Sequence, residues 1–405
     1  MRLNIIILFF NLLSAQLYAQ KEDYTWLMGY MLGPDNTPDT GAAIHTGTTI
    51  LNFNYSPLKL TRYFNGLDLA HTNSSISDEQ GNLLMYTNGT RIFNHQHKLL
   101  EGADSLCYGY SLYRKNTYYY QSGITIPQQS ILLKQPNSSN IYTHFSTFVY
   151  SRNKPWTGPE YEYTSQLRMT TIDMSVNGGL GKVVKREEII LKDTLSESFT
   201  ACKHSNGDDW WIVIEEINTN CIYALLFTKN GVTKIKNKQC IGIKHKESNH
   251  SRKVFTPDGR KFITINGYDG LKVYDFDRCR GILSNYKNIP IPEIPDSSFW
   301  GYSVAISSNS RFAYVTMTKY VVQFDLEAID IAGSKVIVAT YDGFKDSFAV
   351  GTVFHLMQLG PDGKIYISTG NSADKLHYIE FPDLKGMACN VRQHALQLPT
   401  IQFGI

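Results

Sequence analysis

The chain is poor in the features that mark several large protein classes. After its first residues, no apolar run approaches the roughly 20 residues that a bilayer-spanning helix needs. Charge of one sign is never massed: 39 lysines and arginines stand against 36 acids, a formal net charge of +3, and the signs alternate without long blocks. Nucleic acid and anionic membranes therefore gain no support as partners. Amphipathic helical periodicity is almost missing. So are the marks of common chemistry: there is no GxSxG elbow, no HExxH, no phosphate-binding GxxxxGK loop and no CxxC, nor cysteine and histidine pairs at zinc-finger spacing. No catalytic residue, cofactor or metal is assigned on these grounds.

What is present begins with MRLNIIILFFNLLSAQLYAQ, in which Arg2 precedes an apolar run from Ile5 to Leu13, followed by the small residues Ser14, Ala15 and Ala19. That is the pattern of a secretory signal peptide. Residues 1–19 are expected to be a cleaved leader and 20–405 the mature domain, whose charge falls to +2 when Arg2 leaves. Of the six cysteines, Cys221 and Cys240 flank a segment whose Lys229, Asn230 and Gly231 read as a hairpin turn. The turn would bring the two together, as a disulfide or as two buried thiols.

Period-2 alternation with β-branched and aromatic residues runs through KFITING, YVVQFDL, KIYISTG and LHYIEF, so the fold class is all-β. A unit of turn, alternating strand, second turn and strand also recurs, as in VFTPDGRKFITINGYDGLKVYDF and QLGPDGKIYISTGNSADKLHYIEF. With Gly207, Gly259, Ser310 and Gly363 as markers the spacings are 52, 51 and 53 residues. From Gly81 to Gly207 there are 126, two repeats with Ser139 between them and an insertion, SRNKPWTGPEYEY. A period of about 52 in 386 mature residues predicts a single β-propeller of seven four-stranded blades, with six or eight as alternatives. Closure is expected between TTILNFNY and the segment from Cys389 to Ile405.

The ordered runs ISDEQGNLLMYTNGTRIFNHQHKLLEG, QSGITIPQ, TTIDMSVNGGLGKVV, TACKHSNGDDWWIV and VYDFDRCRGILSN resemble the propeller-like region of large exported proteins of gliding, type IX-secreting bacteria, over about residues 45 to 400. Those proteins often carry this region ahead of PKD-type or C-terminal sorting domains. No sorting domain is expected after Ile405, which counts against type IX export and surface attachment and sets the periplasm and simple secretion beside the cell surface as destinations. More loosely, KVFTPDGRKFITI followed by LKVYDFD resembles YVTN-type and lactonase-type propellers.

The repeat phase groups loops by face. Chain entries to the innermost strands share a face with the loops between second and third strands, and the Pro-Asp-Gly turns lie on the other. Counting back from each marker gives His71, Glu197, His250, Arg252, Trp300 and His355 as entry residues, and the insertion adds Trp156, Tyr161 and Tyr163. Aromatic rings with polar handles suit recognition of a protein or a glycan. Histidine, arginine and glutamate at a channel mouth would also suffice for acid/base work. The expectation is a noncatalytic module that binds a protein or glycan outside the cytoplasm, with a lactonase, hydrolase or lyase-type enzyme as the alternative. The acid pairs Asp208–Asp209 and Glu215–Glu216, which bracket WWIVI, read as solvated strand ends.

Overall fold

The computed structural model describes residues 21–29, 46–64, 67–69, 72–107, 123–124, 127–151, 162–233, 237–244, 251–267, 269–291, 303–347 and 349–402. The proposed leader lies outside them. Within them the chain is built from strands, with only short 3-10 turns such as Asn177–Gly179 and Gly386–Cys389. No helix among the described residues is long and apolar enough to cross a membrane.

The strands fall into six hydrogen-bonded antiparallel sheets. The first holds β1 (Thr25–Met28), β2 (Thr48–Asn52) and β3 (Lys59–Tyr63), and the second β4 (Ser74–Ser77), β5 (Leu83–Thr87) and β6 (Ile92–Asn94). The third is larger. It contains β7 (Ser130–Lys134), β8 (Ile141–Ser151), β9 (Glu162–Asp173), β10 (Lys182–Lys203), β11 (Trp210–Glu216), β12 (Cys221–Thr228), β13 (Gly231–Val232) and β14 (Asn237–Cys240). Three four-stranded sheets follow: β15 (Arg252–Phe255), β16 (Lys261–Asn266), β17 (Gly270–Asp277) and β18 (Ile282–Ile289); β19 (Ser303–Ile306), β20 (Phe312–Met317), β21 (Tyr320–Asp325) and β22 (Val336–Thr340); then β23 (Met357–Leu359), β24 (Ile365–Ile367), β25 (Ala373–Ile379) and β26 (Val391–Gln402).

The large sheet is continuous because β10 spans 22 residues. Its first part pairs with β9 from Lys182 to Leu195, and its second part pairs with β11 from Leu195 to Lys203, with a shift of register between Leu195 and Phe199. The first strand of each sheet packs beside the first strand of the next, β1 on β4, β4 on β7, β15 on β19 and β19 on β23, while β10 lies between β7 and β15. This radial arrangement is a β-propeller.

The turn markers occupy one structural position. Gly81, Gly207, Gly259, Ser310 and Gly363 each donate an amide hydrogen to the carbonyl three residues earlier, and each has φ between 65° and 88°. Glycine adopts that left-handed conformation without a Cβ penalty, whereas Ser310 is strained there. In the longer third repeat Ser138, one before the expected Ser139, makes the same hydrogen bond, while the positive φ falls on Asn137. The extra residues lengthen the β8–β9 hairpin, whose pairing continues to Ser151 and Glu162.

Apolar seams join neighbouring sheets. Trp211 of β11 packs edge-on to Phe276 of β17 and donates Nε1–H to the Arg278 carbonyl at 2.7 Å. At closure, Trp26, Met28 and Leu51 meet Tyr366, Leu376 and Leu398, and the Thr49 and Thr400 hydroxyls lie 2.6 Å apart. Cys221 and Cys240, opposite each other on β12 and β14, are disulfide-bonded.

One seam is ionic. The Lys253 ammonium, fully buried on β15, lies 3.0 Å from Glu215 Oε2 of β11 and within 3.0 Å of the hydroxyls of Ser196, Ser198 and Ser251. Burial pushes the Lys253 pKa down, and Glu215 opposes the shift. Behind it, Lys272 meets Asp269 at 2.9 Å, both side chains 3% exposed. Glu215 and its neighbour Glu216 are therefore not solvated strand ends: both are buried, and Glu216 bonds Lys238 at 2.9 Å. The strand is sandwiched between neighbouring sheets, so both of its faces need partners.

Two expected outcomes follow from buried charge. Lys253→Met strands Glu215 without its ammonium and is predicted to cost roughly 3–5 kcal/mol in urea unfolding, with Glu215→Leu in the same chain restoring part of the loss. A single-variant cost under about 1 kcal/mol would show that this pair does not hold the seam. Separately, burial lowers His144 and His377 to about 4. Their unfolded value is near 6.5, so between these values the unfolded chain binds more protons and stability falls as pH falls. The effect reaches about 3 kcal/mol for each imidazole. Thermal unfolding from pH 7 to 4.5 should show a shallower decline in His144→Gln/His377→Gln than in the parent.

Candidate functional site

The first strands of the sheets converge on a central cavity of about 220 Å3. Its wall takes Trp26 to Met28 from β1, Ser74 and Ser75 from β4, Ser130 and Ile131 from β7, Phe199 from β10, Arg252 from β15, Ser303 and Val304 from β19, and Met357 and Gln358 from β23. Asp23, Asn73 and Gln128 complete it. Five of these strands, β4, β7, β15, β19 and β23, present their opening residues here. β1 runs against β4: Ser77 donates to the Glu22 carbonyl at one end and Leu69 to that of Gly29 at the other. Asp23 therefore approaches the cavity from the opposite end of the channel.

Many of these polar side chains tie one inner strand to the next. Ser75 Oγ donates to the Thr25 carbonyl at 2.7 Å, Ser74 Oγ accepts from Leu132 N–H at 3.1 Å, and Ser303 Oγ accepts from Met357 N–H at 3.0 Å. The Gln128 amide bonds both the N–H and the carbonyl of Lys253, at 3.0 and 2.9 Å. Such bonds satisfy inner-strand backbone groups that have no ladder partner toward the channel.

Arg252 is different. It is 7% exposed, and among the described residues its guanidinium has neither a hydrogen bond nor an ion pair. Burial alone pushes its pKa down to about 9. No acid offsets the shift. Beyond the cavity the channel widens to a recess of about 550 Å3 bordered by Lys203 and Arg278. Arg278 is engaged there, bonding the carbonyls of Lys203, Asp258 and His204.

Of the other residues marked in the sequence, Glu197 is 4% exposed on β10, outside the cavity wall, where its charge favours protonated Lys253. His355 precedes β23. Its carbonyl accepts from Thr316 Oγ1 at 2.5 Å, and its ring crowds Gly370, where an added Cβ would come 2.8 Å from Cγ. Arg252 alone of these three lines the cavity. Trp156, Tyr161, His250 and Trp300, with His71, lie outside the described residues, and Tyr163 is described only as part of the β9 backbone.

The entry-residue count missed Ser74 and Ser303, which lie seven residues before Gly81 and Ser310 as Arg252 does before Gly259; the same count from Gly207 and Gly363 gives Thr200 and Leu356, outside the cavity wall, so no fixed register marks it. Ser130 also bonds His144, Oγ to Nε2 at 2.6 Å. That imidazole is fully buried, and its Nδ1 has no hydrogen-bond partner. Among the described residues, no three His, Cys, Asp or Glu side chains come together closely enough to hold a metal ion.

No family model matches the chain, and no curated protein matches it. Solved propellers do. The β-propeller domain of Cps50 (Swd1) from Myceliophthora thermophila is 8% identical over 80% of this chain and 86% of that one, with a TM-score of 0.42. Virginiamycin B lyase from Staphylococcus aureus is 12% identical over 80% of each chain, with a TM-score of 0.39. A gluconolactonase from Xanthomonas campestris is 10% identical over 84% of this chain and 93% of that one, with a TM-score of 0.37.

Proposed function

We propose that the chain is an exported, noncatalytic binding propeller that recognises a protein or glycan outside the cytoplasm through its central channel. The single observation that carries this reading is a cavity walled by the inner strands and holding a buried cation that has no partner among the described residues. Concave sites with a few convergent polar groups are where ligands bind. The reading counts seven blades, with β10 serving as the outer strand of the third and the inner strand of the fourth. Export rests on the leader pattern of residues 1–19, and the destination is the medium, the cell surface or the periplasm. The resemblance to propeller regions of type IX-secreting bacteria supports the same placement.

Binding is favoured over hydrolysis by the state of the Ser–His pair at the wall. An imidazole held near 4 is a weak base for activating Ser130 at neutral pH, and its Nδ1 lacks an orienting acid. The lactonase, hydrolase or lyase reading would need another constellation.

Gln358 is exposed within the cavity wall, so Gln358→Trp can fill the channel while the fold stands. On glycan arrays and in pull-downs of extracellular proteins, the parent is expected to retain a ligand that this variant binds at least about tenfold more weakly, a loss of about 1.4 kcal/mol. Equal binding would move the site elsewhere, and turnover of ester or lactone substrates would overturn the noncatalytic reading.

A further inference from the structure

Among the described residues, the other cations around the channel, buried or half-buried, are matched. Lys253 has Glu215 and three hydroxyls, Lys272 has Asp269, and Arg278 has three carbonyls. Only Arg252 among these is left with the full cost of a desolvated charge. It also faces a cavity, so the missing partner has room to enter.

Two further donors stand in the same wall. Ser74 and Ser303 each accept a backbone N–H through Oγ, which leaves the hydroxyl proton of each to donate. A planar guanidinium fork matches the two oxygens of a carboxylate, and the hydroxyl donors stand in the same wall. A phosphate dianion fits less well: one cation neutralises one charge, and Asp23 already adds a carboxyl to the lining. The space is also small. The stretch beside Arg252 measures about 220 Å3 before the channel widens to the recess, below the roughly 300–1,000 Å3 of sites for drug-sized ligands, so a single compact ring fits there. Serine hydroxyls with the Asn73, Gln128 and Gln358 amides suit a ring that carries hydroxyl groups.

We infer that the channel takes the carboxylate of a sugar acid at Arg252, with Ser74 and Ser303 as supporting donors. The inference rests on the binding reading above and specifies the ligand class for the same cavity. The sugar acid is either a free monosaccharide or the terminal residue of a glycan.

The test is isothermal titration of the full mature chain with D-glucuronate and D-galacturonate, against glucose, galactose and glucose 6-phosphate. The uronates are expected to bind, with the neutral sugars and the phosphate about tenfold weaker or worse. Arg252→Gln is expected to lose uronate binding while its unliganded unfolding midpoint rises, because an unpaired buried charge has gone. If that variant fails to fold, Gln358→Glu sets a carboxylate in the same wall and is expected to weaken uronate binding about tenfold. A uronate-ended oligosaccharide that binds more tightly than the monosaccharide identifies a glycan end, and equal affinity identifies the free acid. Equal binding of glucose and glucuronate, or uronate binding indifferent to both variants, overturns the carboxylate assignment. If a ligand is then still excluded by Gln358→Trp, the channel reading stands without it.

Discussion

Every blade of this molecule leans on the need to bury both faces of its strands at once. A sheet with one wet face can alternate polar and apolar residues, but a radial sheet has a neighbour on either side. Phe262, Tyr274, Tyr314 and Phe324 are accordingly almost without exposure, and so are the lysines at 253 and 272. An aliphatic seam between two blades is self-sufficient. A seam containing a charge is not, and the Lys253 cluster recruits an acid from β11, two serines from β10 and the serine just before β15 to fill it.

That constraint also separates what could be read in the sequence from what could not. The propeller was legible because its turns need particular residues: Gly207, Gly259 and Gly363 hold left-handed conformations, and their spacing fixes a period. Antiparallel alternation was equally plain in KFITING and YVVQFDL, which became β16 and β21. The join of two ladders along β10 was not legible, because that strand has no turn to punctuate it. Glu215 was misplaced for a related reason: a polar residue on a strand end looks solvated until the next blade is known.

The candidate site was legible in position more than in detail. Arg252 was found by counting back from Gly259, and it does line the cavity. Glu197 and His355 came from the same count but sit in an ionic seam and against Gly370. A difference of two or three residues along an entry segment decides whether a side chain faces the channel or a neighbouring blade. The serines at 74 and 303 carried no signal by residue type, since serine is common in turns and strands alike.

Strand β10 has a mechanical consequence. In a propeller of separate sheets, a local opening can be confined to one blade, because each ladder ends at its own edge. Here one backbone belongs to two ladders that overlap at Leu195, which pairs with Thr164 of β9 and with Glu216 of β11. Fraying of β9 therefore loosens the strand that lines the channel at Phe199, and stiffening at the channel reaches the outer hairpin of β8 and β9. In the language of hydrogen exchange, these two units form a single opening unit within a ring of smaller ones.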